Sequence, residues 1–436
     1  MSNSEFGTLT LQLFLLIALA QLLGYWFTKI RQPKVIGEIL AGIIVGPSIL
    51  GHFAPGLAAR IFPQLAGPQG SNHDSVLMFL YNLGLLLLMF ASGAETRGLF
   101  KAEDRRQTTW LAVVGTGVPF VVALACSAWI PTQLLTDNPN MRFPVLLVVG
   151  IAVAVTSIPV ISRILHDLGI LHTRFARLVL GVAVLEDIAL WAVLAIATAT
   201  AAAGSVPELA ILKHVAVTIV YFGVAMLLMP RFLRWLADAR WNVLAKHSPV
   251  GYLVLVLLAY AALAAAMDVS LVFAAFLAGF GVASDADRYR ESLDSLNKLS
   301  FAVFIPIYFA VVGYKLDLSK SFSFSMLAVF LLIACALKLI AAGAGARIAG
   351  FNWQSSINLA VATNARGGPG IVLASVAFDA GIINAQFYTT LVLTAVLTSQ
   401  LAGVWLDYQL RHGRALLDED GSLEAVPASA EKKLAA

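Results

Sequence analysis

The chain has 436 residues, of which 59% are hydrophobic and only 12% are charged. Soluble domains carry about 25% charged residues, so this composition excludes an ordinary globular enzyme and indicates a polytopic membrane protein. The formal net charge of +4 is not concentrated in a long basic run, and we therefore expect no nucleic-acid partner.

Thirteen apolar segments follow one another along the chain, separated by short loops. A membrane-spanning helix needs about 20 mostly apolar residues, and most segments approach this length. They predict an all-α polytopic membrane protein with about 13 transmembrane helices. The tails are predicted at residues 1–8, without a cleaved signal peptide, and at the polar residues 411–436, which we expect to be disordered. The predicted spans are residues 9–29, 33–50, 76–95, 108–130, 143–165, 175–202, 211–236, 249–267, 270–284, 298–315, 324–348, 354–378 and 386–409.

The distribution of Lys and Arg predicts the orientation of the chain. Loops on the side of the C-terminus hold 22 of the 29 basic residues, and loops on the other side hold 5. Because cytoplasmic loops are enriched in Lys and Arg, the C-terminus is predicted to be cytoplasmic and the N-terminus outside. We expect a multi-pass protein of a cell inner membrane.

Two stretches of the sequence resemble two later stretches. EILAGIIVG at 38–46 resembles AFLAGFGVA at 275–283, and LLMFASGAE at 87–95 resembles PIYFAVVGY at 306–314. The matching spans lie seven apart, so the two units are predicted to cross the membrane in opposite directions. Inverted repeats of this kind are typical of secondary transporters.

The fifth and twelfth spans, which also correspond in the repeat, contain helix-breaking residues near their middles. The fifth has TSIP at 156–159, and the twelfth has NARGGPG at 364–370. Proline removes a backbone donor and glycine disfavours a helix interior, so the two spans predict discontinuous crossing helices, with two simple kinks as the alternative. Unwound backbone at membrane depth lines a cavity or is buried, and it offers carbonyl groups to ions. The predicted helix-breaking residues are Pro159, Gly367, Gly368 and Pro369.

Two adjacent carboxylates, Glu186 and Asp187, lie within the sixth span. A carboxylate in the bilayer is costly and is by default a functional hypothesis. Neighbouring side chains on a helix diverge by about 100°, so the two cannot face one point. We expect Asp187 to face the crossing and to bind a proton or a cation in competition, with a purely structural carboxylate as the alternative. We expect Glu186 to face another helix in an ion pair.

Two basic residues, Lys338 and Arg366, lie inside predicted spans. Lys338 is the predicted partner of Glu186, either in a permanent bridge or in a pair that releases a proton when a cation binds. Arg366 stays protonated, and we expect it to supply counter-charge or to bind backbone at the crossing. We expect a structural role for Glu38 in the second span.

Other chemistries lack support in the sequence. It contains no Walker loop, no HExxH motif, no Cys/His cluster and no nucleophile elbow, so we expect neither ATP-driven transport nor an enzyme, and no cofactor. Cys126 and Cys335 both lie in apolar segments and predict neither a disulfide nor a metal site.

Several of these segments together resemble the monovalent cation:proton antiporter-2 family, the Kef- and NapA-type exchangers. The resemblance covers about residues 9–410. It implies a NapA/NhaA-like antiporter fold with thirteen helices, a homodimer and transport by an elevator movement. It divides the chain into a dimer part at about 9–95 and 249–315, a core part at about 108–202 and 324–409, and a linker helix at about 211–236. The similar segments are QPKVIGEILAGIIVGPSILG (32–51), LGLLLLMFASGAE (83–95), AVTSIPVISRILHDLGI (154–170), FAAFLAGFGVAS (273–284) and IPIYFAVVG (305–313).

The resemblance also implies roles for individual residues. The ion-carrying aspartate of the family corresponds to Asp187. Glu186 departs from the Asp or Gln that precedes this aspartate in the NapA and Kef types. The polar residues of the unwound helices correspond to Thr156, Ser157 and Asn364, so a monovalent cation is expected on Asp187 and Thr156.

The sequence therefore predicts a secondary active antiporter that exchanges Na⁺ or K⁺ for protons. Lys338 corresponds to the membrane lysine of electrogenic members. Two titrating groups per cation would make exchange electrogenic, whereas a locked Glu186–Lys338 bridge would not. One alternative is a sodium- or proton-coupled transporter of an organic ion, with Arg366 holding a carboxylate. Another is a membrane sensor in which cation binding only gates a conformation.

Overall fold

The structure, a computed structural model, describes residues 3–29, 32–62, 72–95, 104–171, 173–203, 208–240 and 242–417. These residues form helices and connecting turns, and no β-strand occurs among them. The predicted all-α class is therefore confirmed. Most of the predicted disordered tail, residues 418–436, lies outside the described residues, as do the first two residues of the chain.

The first part of the chain forms ten helices, of which the sixth and seventh are joined by the π-helical segment Val113–Gly117. They are α1 (Asn3–Lys29), α2 (Lys34–Val45), α3 (Leu50–Phe53), α4 (Pro55–Ile61), α5 (Asn72–Glu95), α6 (Arg105–Ala112), α7 (Val118–Ala125), α8 (Arg142–Ala154), α9 (Ile158–Asp167) and α10 (Arg174–Ala203).

The second part adds eleven helices within the described residues, and the π-helical segment Ser300–Phe304 joins the sixth of these to the seventh. They are α11 (Glu208–Leu227), α12 (Met229–Asp238), α13 (Val243–His247), α14 (Pro249–Ala266), α15 (Leu271–Val282), α16 (Ala286–Leu299), α17 (Ile305–Tyr314), α18 (Phe324–Ile348), α19 (Trp353–Thr363), α20 (Gly367–Asp379) and α21 (Ala385–Arg411).

Nine helical stretches among the described residues are long and apolar enough to cross a membrane, or ten if one bent pair counts as a single span. The bent pair is α11 and α12, which meet at 44° within the predicted linker helix. Pro230, in the first turn of α12, explains the bend because proline disrupts the preceding helical turn. Every predicted span contains a helix, but several are short or interrupted, so the total of thirteen stays a prediction.

Large apolar side chains cover the outside of the bundle. Phe14 on α1 is 65% exposed, and Ile340 on α18 is 71% exposed. Both lie in stretches that are long and apolar enough to cross a membrane. Lipid chains are the favourable environment for such a surface, as the composition also indicates.

The crossing of α2 and α17 brings two backbones into contact. Gly42 faces the carbonyl oxygen of Ala310, and Gly313 faces the carbonyl oxygen of Ile39. A Cβ atom at either glycine would overlap the facing oxygen. Small residues at such crossings let membrane helices approach closely and gain van der Waals contact.

The crossing of α5 and α15 repeats this arrangement. Gly93 faces the carbonyl oxygen of Phe276, and Gly279 faces the carbonyl oxygen of Phe90. The four segments at the two crossings are the four that resemble each other in sequence. Each crossing therefore pairs one segment of the first repeat with one segment of the second, and the two crossings have the same close geometry.

Two further packing contacts position the candidate site. The helix α10, which carries both adjacent carboxylates, packs against α8, and α18 packs against α19. Lys338 of α18, which pairs with Glu186 of α10, is thereby brought to the end of α8, where the chain is interrupted.

Candidate functional site

The first interruption separates α8 from α9. The helix α8 ends at Ala154, residues 155–157 have no regular structure, and α9 begins at Ile158. Ser157 is the N-cap of α9, and its hydroxyl accepts a hydrogen bond of 3.3 Å from the backbone N–H three residues later. Pro159 lies in the first turn of α9, where a missing N–H costs no helical hydrogen bond.

The second interruption separates α19 from α20. The helix α19 ends at Thr363, and α20 begins at Gly367, whose φ of 38° is in the left-handed region that glycine tolerates. Gly368 and Pro369 follow in the first turn of α20. The predicted helix-breaking residues thus begin the second half of each broken helix. The unwound segments precede them, because proline is well accommodated in the first turn of a helix.

The two interruptions are hydrogen-bonded to each other. The Ser157 N–H donates to the Ala365 carbonyl at 2.7 Å, and the Thr156 hydroxyl donates to the Thr363 carbonyl. A hydroxyl that donates its one hydrogen keeps both lone pairs, so Thr156 can still coordinate a cation. The broken helices therefore meet at their unwound segments, as the sequence predicts.

Glu186 and Lys338 form a buried ion pair close to this crossing. The distance from Lys338 Nζ to Glu186 Oε1 is 2.8 Å, and the two side chains are 0% and 1% exposed. Lys338 also donates to the Ala154 carbonyl and, at 3.4 Å, to the Thr116 hydroxyl, which itself donates to Glu186. An ammonium group has three hydrogens, and here each has an acceptor. The structure thus gives Glu186 the partner that the sequence predicts.

Arg366 binds backbone around both interruptions. Its Nε donates to the Ala152 carbonyl at 2.9 Å, and its Nη2 donates to the carbonyls of Val153 at 3.1 Å and Ala334 at 2.9 Å. Its Nη1 donates to Asn364 Oδ1 at 3.0 Å. The last carbonyls of a helix lack helical partners and carry partial negative charge, which a buried guanidinium satisfies. Of the two roles predicted for Arg366, the structure shows the binding of backbone.

Asp187 lies next to the ion pair in sequence but faces different neighbours. Its carboxylate is fully buried, beside the Ser92 hydroxyl of α5 and the Trp191 indole one turn along α10. Ser92 Oγ and Trp191 Nε1 are near enough to interact with the carboxylate, but none of these four polar atoms makes a hydrogen bond of normal length and angle among the described residues. Unsatisfied buried polar atoms are rare and call for an explanation. Four of them at one place mark this carboxylate as a candidate binding site.

The structure therefore divides the predicted site residues into two groups. One group surrounds the crossing, and Glu186 joins it through Lys338 and the Ala154 carbonyl. The Asp187 carboxylate has no hydrogen bond to this group among the described residues, and the sharing of one cation by Asp187 and Thr156 stays a prediction. The members of the first group are Thr156, Ser157, Glu186, Lys338, Asn364 and Arg366.

A cavity of about 380 Å³ lies between α2, α5, α9 and α17 and reaches Ser92, the neighbour of Asp187 on α5. We call it the Ser92 cavity, because Ser92 is among its lining residues together with Arg163 and Glu38. Glu38 is buried, and its carboxylate lies 3.3 Å from Lys34 Nζ, so its predicted structural role takes the form of an ion pair in the cavity wall. Lys34 and Arg163 lie near the helix ends on the side of the chain that is predicted to be cytoplasmic.

At the opposite ends of α5 and α17, a polar cluster joins these helices to α20. Lys315 Nζ lies 2.6 Å from Asp379 Oδ1 and 4.1 Å from the centroid of the Tyr81 ring. The Tyr81 hydroxyl donates to Asp379 Oδ2 at 2.8 Å. Burial lowers the pKa of Lys315, and the neighbouring Asp379 acts in the opposite direction. We call these three side chains the Lys315 cluster.

The described residues contain no group of three or more His, Cys, Asp or Glu side chains that could hold a metal ion. Cys126 and Cys335 are both free thiols. The sulfur of Cys335 accepts a hydrogen bond of 3.4 Å from Asn364 Nδ2, which places it at the crossing.

Residues 14–411 match the family model described as sodium/hydrogen exchanger, transmembrane. The match includes both interrupted helices, both adjacent carboxylates and the two close glycine crossings.

Similar proteins are known from several organisms. The chain is 28% identical to the Na⁺/H⁺ antiporter NhaS4 of Synechocystis sp., over 89% of this chain and 93% of that protein. It is 25% identical to the Na⁺/H⁺-K⁺ antiporter GerN of Bacillus cereus, over 91% of this chain and 95% of that protein. It is 28% identical to K⁺/H⁺ antiporter 1 of Saccharomyces cerevisiae, but there it spans only 46% of the relative.

Among solved structures, the sodium proton antiporter MjNhaP1 from Methanocaldococcus jannaschii has a similar fold. The TM-score is 0.59, and the alignment covers 93% of this chain and 97% of the other. The two sequences are 14% identical, so the likeness concerns the fold alone.

Proposed function

The chain belongs to the sodium/hydrogen exchanger family, a family of transporters rather than enzymes, and on that basis we propose that it exchanges Na⁺ or K⁺ for protons. Relatives that match most of the chain are named as Na⁺/H⁺ and K⁺/H⁺ antiporters, which supports cation–proton exchange as the general activity. Within the family, the motifs of the sequence favour the monovalent cation:proton antiporter-2 branch.

The observation that carries the proposal is the Asp187 carboxylate, which is fully buried without a hydrogen-bond partner among the described residues. A buried charge without a partner is costly, so the carboxylate gains from binding either a proton or a cation. Either a proton or a cation neutralises the carboxylate, and the two cannot both bind it tightly at the same time. One cargo must leave before the other binds, which is the competition that exchange needs.

The unwound segments supply the remaining polar groups of the proposed cation site. Thr156 has both hydroxyl lone pairs available while its hydrogen is engaged with Thr363. Two hydrogen bonds stabilise the crossing. Asn364 accepts one from the Arg366 guanidinium, and the Ser157 N–H donates the other to the Ala365 carbonyl. We propose that Asp187 and Thr156, which both belong to the proposed core part, are ligands of the same cation.

We propose that one cation is exchanged for one proton. Lys338 has three hydrogens and three acceptors, of which one is the Glu186 carboxylate. Loss of a proton from Lys338 would leave the buried Glu186 charge without compensation, which is strongly unfavourable. The Glu186–Lys338 pair is therefore a permanent ion pair, and Asp187 is the one group that gains and loses a proton. One positive charge then crosses in each direction, so transport is electroneutral.

The two ends of the bundle support an alternating-access movement. The Ser92 cavity reaches Ser92, beside Asp187, at one end, whereas the Lys315 cluster ties α5 and α17 to α20 at the other end. Lys315 and Tyr81 lie in the proposed dimer part, and Asp379 lies in the proposed core part. We propose that the core moves as an elevator, which separates the Lys315 cluster and closes the cavity.

The wider architecture is proposed from the same features. The two glycine crossings, with their partners in exchanged order, support inverted repeats. We propose thirteen transmembrane helices, a homodimer, and an inner-membrane location with the C-terminus in the cytoplasm. The Ser92 cavity would then open to the cytoplasm.

The organic-ion alternative has no support in the geometry of Arg366. Each nitrogen of its guanidinium donates to an acceptor of the protein itself, so the group is not free to hold a substrate carboxylate. The sensor alternative predicts no flux, and it is separated from exchange by measurement.

Cation-induced proton flux in proteoliposomes with a trapped pH dye tests the proposal. Na⁺, K⁺ and Li⁺ are added in turn to wild type and to Asp187→Asn. We expect flux with Na⁺ or K⁺ in the wild type and none in the variant. Thermal unfolding in detergent should show Asp187→Asn at least as stable as wild type, because a buried uncompensated charge has been removed. Flux that survives Asp187→Asn would refute the assigned carrier, and no flux from folded wild type would favour the sensor.

A further inference from the structure

Ser92 lacks the hydrogen bond that a helical serine usually makes. In a helix, a buried serine hydroxyl commonly bonds to the carbonyl four residues earlier. Ser300 does so, with Oγ 2.7 Å from the Leu296 carbonyl. Ser92 is 5% exposed and lies within α5, yet its hydroxyl has no partner among the described residues and lies beside Asp187. Its hydroxyl is therefore available for a ligand at the carboxylate.

The two polar neighbours of Asp187 differ in what they can bind. The Trp191 indole N–H is a donor only, so it can stabilise the carboxylate but cannot coordinate a cation. The Ser92 hydroxyl has two lone pairs and one hydrogen, so it can donate to the carboxylate or offer oxygen to a cation. Ser92 also lines the Ser92 cavity, on the route by which a hydrated cation would arrive. Of the two neighbours, only Ser92 can serve as a cation ligand.

The two neighbours also differ in what they are attached to. Trp191 lies one turn from Asp187 on α10, so it stays with the carboxylate in any rigid movement of that helix. Ser92 precedes Gly93, whose backbone is held against α15 at a close crossing. Any movement of α10 relative to α5 therefore separates Asp187 from Ser92 but not from Trp191.

From these contacts we propose that Ser92 is a ligand of the transported cation in one conformation only, the one in which the Ser92 cavity is open. This inference rests on the proposed function and deepens it. The cation site has one oxygen more on the cavity side than on the opposite side. The affinity for the cation is then higher when the cation binds from the cavity side than when it binds from the opposite side. Trp191 contributes equally to cation binding from both sides.

Transport from the two faces of the membrane tests the proposal. Everted vesicles present the predicted cytoplasmic face to the medium, and right-side-out vesicles present the other face. Na⁺ and K⁺ are titrated on each, and proton flux is recorded. For Ser92→Ala we expect the KM for the cation to rise about three- to tenfold in everted vesicles, because one contact of about the strength of a hydrogen bond is lost. In right-side-out vesicles the KM should stay unchanged. Ser92→Thr, which keeps the hydroxyl, should restore most of the affinity.

Two further variants make the comparison specific. Trp191→Phe should change the KM by a similar factor on both faces. Ser356→Ala is the matched control, because Ser356 on α19 is also buried with a hydroxyl that has no partner among the described residues. It should leave the KM unchanged on both faces.

The outcomes separate this inference from the proposed function. An unchanged KM for Ser92→Ala on both faces, in vesicles whose flux still requires Asp187, would overturn the role of Ser92 alone. An equal rise on both faces would also overturn it, because the ligand would then not be confined to one conformation. Wild-type flux that does not require Asp187 would instead overturn the proposed function.

Discussion

Lys338 Nζ lies 2.8 Å from Glu186 Oε1 in a position where neither side chain reaches the surface. Removing either partner leaves the other charge buried and uncompensated, at a cost of about 3–5 kcal/mol. We expect Lys338→Ala and Glu186→Gln each to lower the thermal unfolding temperature in detergent. The double variant should lose clearly less than the sum of the two single losses. Additive losses would show that the pair is not coupled in the folded protein.

The saturated Lys338 ammonium predicts transport without net movement of charge. If only Asp187 titrates, one cation moves for one proton, and the rate does not respond to membrane potential. Proton flux in proteoliposomes should therefore be the same with and without an imposed potential. A rate that changes steeply with potential would require a second titrating group, for which Lys338 and Glu186 would be the candidates.

Arg366 should not be replaceable by lysine. The guanidinium reaches the Ala152, Val153 and Ala334 carbonyls and Asn364 from three nitrogens, and an ammonium at one point cannot. We expect Arg366→Lys to destabilise the protein by about 1–3 kcal/mol for each carbonyl left unsatisfied, and to abolish most transport. Thermal unfolding and proton flux measured on the same preparation check this. Full activity in Arg366→Lys would mean that charge alone is needed at this position.

The Lys315 cluster should set the balance between the two conformations. Lys315→Ala and Asp379→Ala each remove its ion pair, so the closed end should open more often. Labelling of Ser162→Cys, a cavity-lining residue, by an impermeant thiol reagent should then become about two- to fivefold slower, as expected for a partly exposed ion pair. The reporter is introduced after Cys126 and Cys335 have been replaced.

The control for this prediction is Lys320→Ala. Lys320 lies in the same loop, and its side chain is 84% exposed in a pair with Asp317 at 3.9 Å. Labelling of the reporter should not change in this variant. Equal effects of Lys315→Ala and Lys320→Ala would indicate a general influence of loop charge rather than a specific closure.

Residues that are costly in a membrane were predictable from the sequence. A lysine and a glutamate inside apolar spans need partners, so the Glu186–Lys338 pair follows from the two positions alone. Trp191 lies four residues after Asp187 on the same helix, and this spacing could have revealed it as a neighbour. Ser92 could not be found in this way, because its approach to Asp187 depends on how α5 lies against α10.

The interruptions show a similar limit. Proline and glycine indicated which spans are broken, but the unwound residues 155–157 and 364–366 precede them along the chain. Local preference places proline in the first turn of a helix, so its position marks where the second half begins. Arg366 was recognised as a buried charge, whereas its three carbonyl acceptors lie on two other spans and come together only when the helices pack.

The glycine crossings have a consequence for the rate at which backbone amides exchange with deuterium. Helices that touch through their backbones at Gly42, Gly93, Gly279 and Gly313 have no side-chain layer through which one could loosen before the other. Their amides exchange only when the whole bundle opens, so α2, α5, α15 and α17 should form the slowest-exchanging unit of the molecule. The helix α9, which faces the Ser92 cavity, should exchange faster. The four helices that do not move during transport would thus be recognised by a plateau in their deuterium uptake.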